Sequence, residues 1–214
     1  MKKFSKIFSS ICLVLVLGVT VLFAGCAKKP RVEISVTTGG GVYVVGESTS
    51  AIGSHAVDSG ENYRFNIIAD SGYYIAGIKV NGEDVDISGF EKNKEGYLVD
   101  HLYVINNVES DVTVFITFAP CKYDLKIVFS DGKFLTYKNV EYKKQFTLFK
   151  YEVEGKSKSF YYNDINGKAH YLGDNCLFTM GGKNSALYAE DKYSADFKTR
   201  LDAIFTGYEV SVTE

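Results

Sequence analysis

Apolar and polar residues alternate along most of this chain, and the alternation has the period of strands with one buried face. Val32, Ile34 and Val36 open the pattern. Gly39-Gly40-Gly41 breaks it, Val42 to Val45 follow as a candidate strand, and the polar stretch from Gly46 to Gly60 reads as loop. Tyr63, Phe65 and Ile67 alternate again. Ile75, Ile78 and Val80 then lead into Asn81-Gly82, with Val85 and Ile87 beyond it. Asn-Gly between apolar runs predicts a tight hairpin, because both central residues accept positive φ. Gly89 to Gly96 is a charged loop. Tyr97 to Val99 and Tyr103 to Ile105 come next, and Val112, Val114, Ile116 and Phe118 close the segment in strict alternation. Pro120 follows a strand end, lacks a ladder donor and marks a boundary.

A second series begins at Tyr123, Leu125, Ile127 and Phe129, with Asp131-Gly132 as its turn signal. It continues through Val140 to Leu148, Phe160 to Tyr162 with Asn166-Gly167, and Leu187-Tyr188-Ala189. The tail changes period. Ser194 suits a helix cap, Phe197, Leu201, Ile204 and Phe205 share one helical face, and Gly207 suits a stop. Tyr208, Val210 and Val212 alternate as a last strand. The fold class expected is all-β and mainly antiparallel, with two small domains in series, 31–119 and 121–214, the second carrying one short C-terminal helix. Abundant Tyr and Phe (16 and 15), 20 Gly and only 2 Pro agree with β-structure.

The first 26 residues follow a different rule. A basic run (Lys2, Lys3, Lys6), an apolar run from Ile7 to Phe23 and Ala24-Gly25-Cys26 have the order of a secretory signal peptide. Leu22-Phe23-Ala24-Gly25-Cys26 resembles a bacterial lipobox, with Phe23 where Leu is commonest. The resemblance implies a lipoprotein signal peptide over 1–25 and diacylglycerol on the sulfur of Cys26. It implies a lipidated tether over 26–30, and a body held at the cell membrane on its extracytoplasmic side. Each buried lipid methylene contributes about 0.8 kcal/mol, and two chains make the attachment stable. An uncleaved membrane anchor is the alternative, but the run is short for a bilayer span.

Charge adds little. The chain carries 24 Lys+Arg and 26 Asp+Glu; without Lys2, Lys3 and Lys6 it has 21 basic and 26 acidic residues, a formal −5. That balance gives no footprint for nucleic acid.

Two further resemblances concern the body. Gly72-Tyr73-x-Ile75-x-x-Ile78-x-Val80-Asn81-Gly82, Tyr103-x-Ile105-x-Asn107-Val108-x-x-Asp111 and Val112-x-Val114-x-Ile116-x-Phe118 resemble a β-repeat of bacterial surface proteins, grouped with divergent internalin-type B repeats. This implies a β-sandwich-like surface repeat with no catalytic residues. The order of the second series is similar to the internalin B repeat, a β-grasp-like module, with Ser159-Phe160-Tyr161 in place of the family's Gly-Trp-Tyr.

Candidate chemistry is sparse. Cys121 and Cys176 remain after Cys12 and Cys26 are set aside; a disulfide and two separate buried thiols are both open. His170, Asp174 and Cys176 are close in sequence, but no flanking motif supports a cysteine nucleophile. Asp164-Ile165-Asn166-Gly167 lacks the ligands of a calcium loop. Glu83, Asp84 and Asp86 form an acidic cluster that offers a weak calcium site or a solvated edge. His55, His101 and His170 have no zinc spacing. Tyr73-Tyr74 and Tyr161-Tyr162 offer aromatic faces to sugars or peptides, one of each pair being expected in a core. No cofactor or catalytic residue is indicated. The function expected is that of a non-catalytic spacer, adhesin-like or protein- or glycan-binding module, whose partners are the membrane and cell-wall, matrix or surface protein. A small-ligand-binding lipoprotein is the alternative, and an envelope hydrolase using Cys176 and His170 the third.

Overall fold

The computed structural model describes residues 28–213, so Cys26 and the signal segment lie outside the described residues. The chain forms two all-β units, and their buried cores share no residue. The first unit packs two sheets face to face. One has the order β3 (Gly53–Ala56), β1 (Arg31–Val36), β8 (Val112–Pro120), β5 (Tyr73–Val80), β6 (Glu83–Asp84). The other joins β2 (Gly40–Val44), β4 (Tyr63–Ala69) and β7 (Asp100–Ile105). Alternation sends Val32 and Ile34, Phe65 and Ile67, and Val114 and Ile116 inward. Burying each such side chain contributes about 1.5–3 kcal/mol. Ile75 and Ile78 are both buried although three residues apart, because a bulge between Ile75 and Gly77 resets the parity of β5. Asn81 and Gly82 turn the β5–β6 hairpin with φ of 51° and 84°, and Asn81 Oδ1 accepts the Thr113 N–H at 2.9 Å.

Two expectations give way here. The Gly39–Gly41 run is not simply a break, since Gly40 and Gly41 lie inside β2. A Cβ on Gly39 would stand 2.4 Å from the Tyr73 ring, and one on Gly40 2.4 Å from the Phe118 ring. The glycines let the two aromatic rings lie against the backbone. The stretch expected as loop from 46 to 60 contains β3, whose residues 53–56 pair with β1.

In the second unit a six-stranded sheet runs β15 (Ala169–Tyr171), β14 (Tyr161–Asn163), β17 (Ser185–Tyr188), β9 (Lys122–Val128), β10 (Phe134–Glu141), β18 (Val210–Thr213). Two small ribbons accompany it: β11 (Gln145–Thr147) with β16 (Leu177–Thr179), and β12 (Tyr151–Val153) with β13 (Lys156–Lys158). The only helix among the described residues, α1 (Ala195–Ile204), starts where the sequence places it. The Ser194 hydroxyl accepts the Phe197 N–H at 3.1 Å, and Phe197, Leu201 and Phe205 sink into the core. Both units contain one parallel pairing among antiparallel ones, β1 with β8 and β9 with β17. No helix of the described residues is long and apolar enough to cross a membrane.

Candidate ligand-binding cleft

The second unit opens where two consecutive strands choose different partners. β16 pairs with β11, Phe178 standing opposite Phe146, whereas β17 joins β9 in the large sheet. Gly181 and Gly182 lie in the connection. Its far end is pinned to β9, because Asn184 Oδ1 accepts the Asp124 N–H at 2.8 Å. The arms therefore splay and leave a cleft of about 490 Å³ between them, a volume in the range of ligand sites. Leu172 and Phe178 supply buried apolar surface. Tyr162 and Leu177 are exposed by 44% and 41%, so apolar faces are open to a ligand there. Asn163, Thr179 and Asn184 add polar groups, and Lys183 is the one charged residue of the lining.

The tyrosines are held by neighbours. Tyr161 stacks on Tyr188 at 5.3 Å between ring centres and tilts against Tyr171 at 5.2 Å. The Tyr171 hydroxyl donates to Glu190, which also binds Lys158 at 2.8 Å; the ammonium first and then the phenol hold its carboxyl below the usual range. Tyr162 stands opposite His170 in the β14–β15 hairpin and stacks on its ring at 5.4 Å and 16°. His170 Nε2 lies 3.0 Å from Asp164 Oδ2, and Asp164 Oδ1 accepts the N–H groups of Asn166 and Lys168 at 2.9 Å each. The hydrogen bond from His170, followed by that from the Lys168 N–H, keeps the Asp164 carboxyl low. So Asp164-Ile165-Asn166-Gly167 is a hairpin turn that fixes Tyr162. Neither Tyr161 nor Tyr162 enters the core; Phe160 beside them does, fully buried.

The residues singled out in the sequence fall elsewhere. Cys121 and Cys176 are free, buried thiols, which removes the candidate disulfide. Cys176 packs in the second core, whereas Cys121 sits at the junction of the units beside Tyr123. The Cys176–His170 pair is not assembled either. His170 engages Asp164, Asp174 binds Lys150 at 2.8 Å, and the Cys176 thiol is sealed among apolar side chains. Glu83, Asp84 and Asp86 do not converge as a calcium site. Asp84 pairs with Lys79 at 3.3 Å and Asp86 caps the Ser88 N–H at 2.9 Å. Among the described residues no group of three or more His, Cys, Asp or Glu is placed to hold a metal ion. Sequence reasoning named Tyr162 but missed Thr179, Lys183 and Asn184, which lack any local motif.

Compared with protein-family models, with curated proteins and with solved structures, the chain matches none.

Proposed function

We propose that this is a lipid-anchored protein of the extracytoplasmic cell surface, non-catalytic, with a spacer as its first unit and a ligand-binding module as its second. The cleft between β16 and β17 carries the reading. It combines exposed aromatic surface, amide and hydroxyl groups and one cation, which suits recognition of a ligand. The order of the chain supports display: Cys26 lies at the N-terminal side, the first unit follows it, and the cleft belongs to the unit furthest along the chain. The basic head, the apolar run and the lipobox-like ending support the anchor, and cell-wall, matrix or surface protein supplies the ligand.

Retention on envelope material of the producing cell tests this reading. Fluorescently labelled chain 27–214 should be retained, and Tyr162→Ala combined with Lys183→Glu should reduce retention about tenfold, as expected for the loss of a hot-spot aromatic. Equal retention of both proteins would contradict a role for the cleft.

A further inference from the structure

The cleft does not end at Lys183. Lys183 and Asn184 also line a second hollow of about 530 Å³ at the junction of the units, together with Glu95 and Tyr97 of the first unit and Lys122 and Tyr123 of the second. The two hollows therefore meet along the Lys183–Asn184 segment. Their walls offer little backbone, because β17 lies inside the large sheet with β14 on one side and β9 on the other. What they offer is side-chain chemistry. His170 stacks on one face of the Tyr162 ring and leaves the other face for a ligand. Asn184 uses its Oδ1 on the Asp124 N–H, and its amide NH₂ meets no acceptor among the described residues. The Asn163 amide and the Lys183 ammonium meet no partner there either. Glu95 is the only acid in the two linings, against Lys183 and Lys122, so an excess positive charge remains.

We propose that the two hollows form one groove for an oligosaccharide that carries carboxylates, with a sugar ring on Tyr162, hydroxyls on Asn163 and Asn184, and acids on Lys183 and Lys122. The C–H face of a pyranose suits the negative face of an aromatic ring that is already held in place. Sugar hydroxyls both donate and accept, and so do side-chain amides. A carboxylate on Lys183 adds a charge-assisted bond, about twice as strong as a neutral one. A neutral chain would leave that ammonium without a partner. A polypeptide strand would need a ladder edge, and β17 has none to give. Two adjoining hollows, each in the size range of ligand sites, call for several rings in a row rather than a single sugar. The inference rests on the cleft being the binding site of the protein.

The test uses chain 27–214 with both units present. Labelled protein is applied to an array of glycans that bear uronic, sialic or muramic acids, printed beside neutral chains. Carboxylated chains should be retained about tenfold better than neutral ones, and tetrasaccharides better than disaccharides. The best glycan is then titrated into ¹⁵N-labelled protein. The amides of Thr179 and Asn184 in the cleft and of Lys122 at the junction should shift. Reducing the carboxyl groups of the glycan leaves the protein unaltered and should weaken binding about tenfold. Lys183→Gln should weaken it by a similar factor without changing the melting temperature, and Lys122→Gln should weaken the tetrasaccharide but not the disaccharide. An array without signal, equal binding of the carboxyl-reduced glycan, or shifts that stop short of the junction overturns the acidic oligosaccharide. Envelope material separates that failure from failure of the site. If retention there needs Tyr162 but survives periodate and is abolished by protease, the cleft remains the site and its ligand is a polypeptide. If retention ignores Tyr162→Ala, the cleft reading itself falls.

Discussion

Tyr73 and Tyr142 meet edge to face across the junction of the two units, with ring centres 5.6 Å apart and planes at 88°. Two backbone–backbone bonds and one backbone–side-chain bond lie around them. The Cys121 N–H donates to Gly72 O at 2.8 Å and the Tyr142 N–H to Cys121 O at 2.8 Å, while the Lys122 N–H donates to the Tyr97 hydroxyl at 2.9 Å. Pro120 thus separates two cores without leaving a bare linker, because the end of β8 and the start of β9 are tied to both sides.

Gly72 is the sensitive point of this junction. Its φ is +82°, and a Cβ there would lie 2.4 Å from the Tyr142 ring. Gly72→Ala therefore combines left-handed backbone with a clash and should destabilise the protein by about 2–3 kcal/mol. Gly82→Ala provides the comparison: φ is +84° but nothing lies within 4 Å of the added carbon, so only about 1 kcal/mol is expected. Urea midpoints measure both. Equal losses would mean that Tyr142 yields freely and the junction is loose.

The helix offers a second check. Ser194→Ala removes the acceptor for the Phe197 N–H and should cost about 1 kcal/mol. Phe197→Ala empties a site surrounded by Phe129, Phe149, Tyr151 and Phe160 and should cost about 3–5 kcal/mol. A cost for Phe197→Ala no larger than that of the cap would place the helix outside the core.

Alkaline pH should unfold the second unit. Burial, and then the hydrogen bond to Asp202 at 2.9 Å, raises the Tyr137 phenol far above its ordinary value. Burial likewise pushes Tyr123 and Tyr151 up to about 12. Folded values above the unfolded value of 10.0 mean that the stability held by the neutral phenols is complete below pH 10. It is lost as pH rises from about 10 through 12. The unfolding midpoint should therefore fall steeply above pH 10, and less steeply in Tyr137→Phe, which itself costs about 1 kcal/mol at neutral pH. A midpoint flat to pH 12 would refute the burial of these hydroxyls.

The thiols give a redox prediction. Cys121 and Cys176 are unpaired, and burial raises the Cys121 thiol. Reductant should leave the melting temperature of chain 27–214 unchanged, and the intact mass should be that of the dithiol. Iodoacetamide should label the native protein about tenfold or more slowly than the unfolded one. A mass lighter by two hydrogens would show a bridge.

Local signals were legible and long-range ones were not. Asn81-Gly82 announced its hairpin, and Ser194 with Phe197, Leu201 and Phe205 announced the helix, because turn and cap chemistry is written in adjacent residues. The glycines at 39–41 looked like punctuation, since their packing partners Tyr73 and Phe118 lie far along the chain. The parallel pairing of Val32 with Val112 spans the whole first unit, and no residue pattern encodes it. The cleft was hidden for the same reason. Tyr162 drew notice as an aromatic, but the opening beside it exists only because Phe178 pairs with Phe146 while Leu187 pairs with Ile127.

The most direct test of the surface-binding claim is photocrosslinking in the producing cell. A benzophenone amino acid replaces Tyr162 in the cleft, or, as the control, the exposed Phe115 of the first unit. Irradiation should yield a discrete adduct from position 162 and none from position 115. Adducts of equal yield at both positions, or none at 162, would contradict a ligand held in the cleft of the second unit.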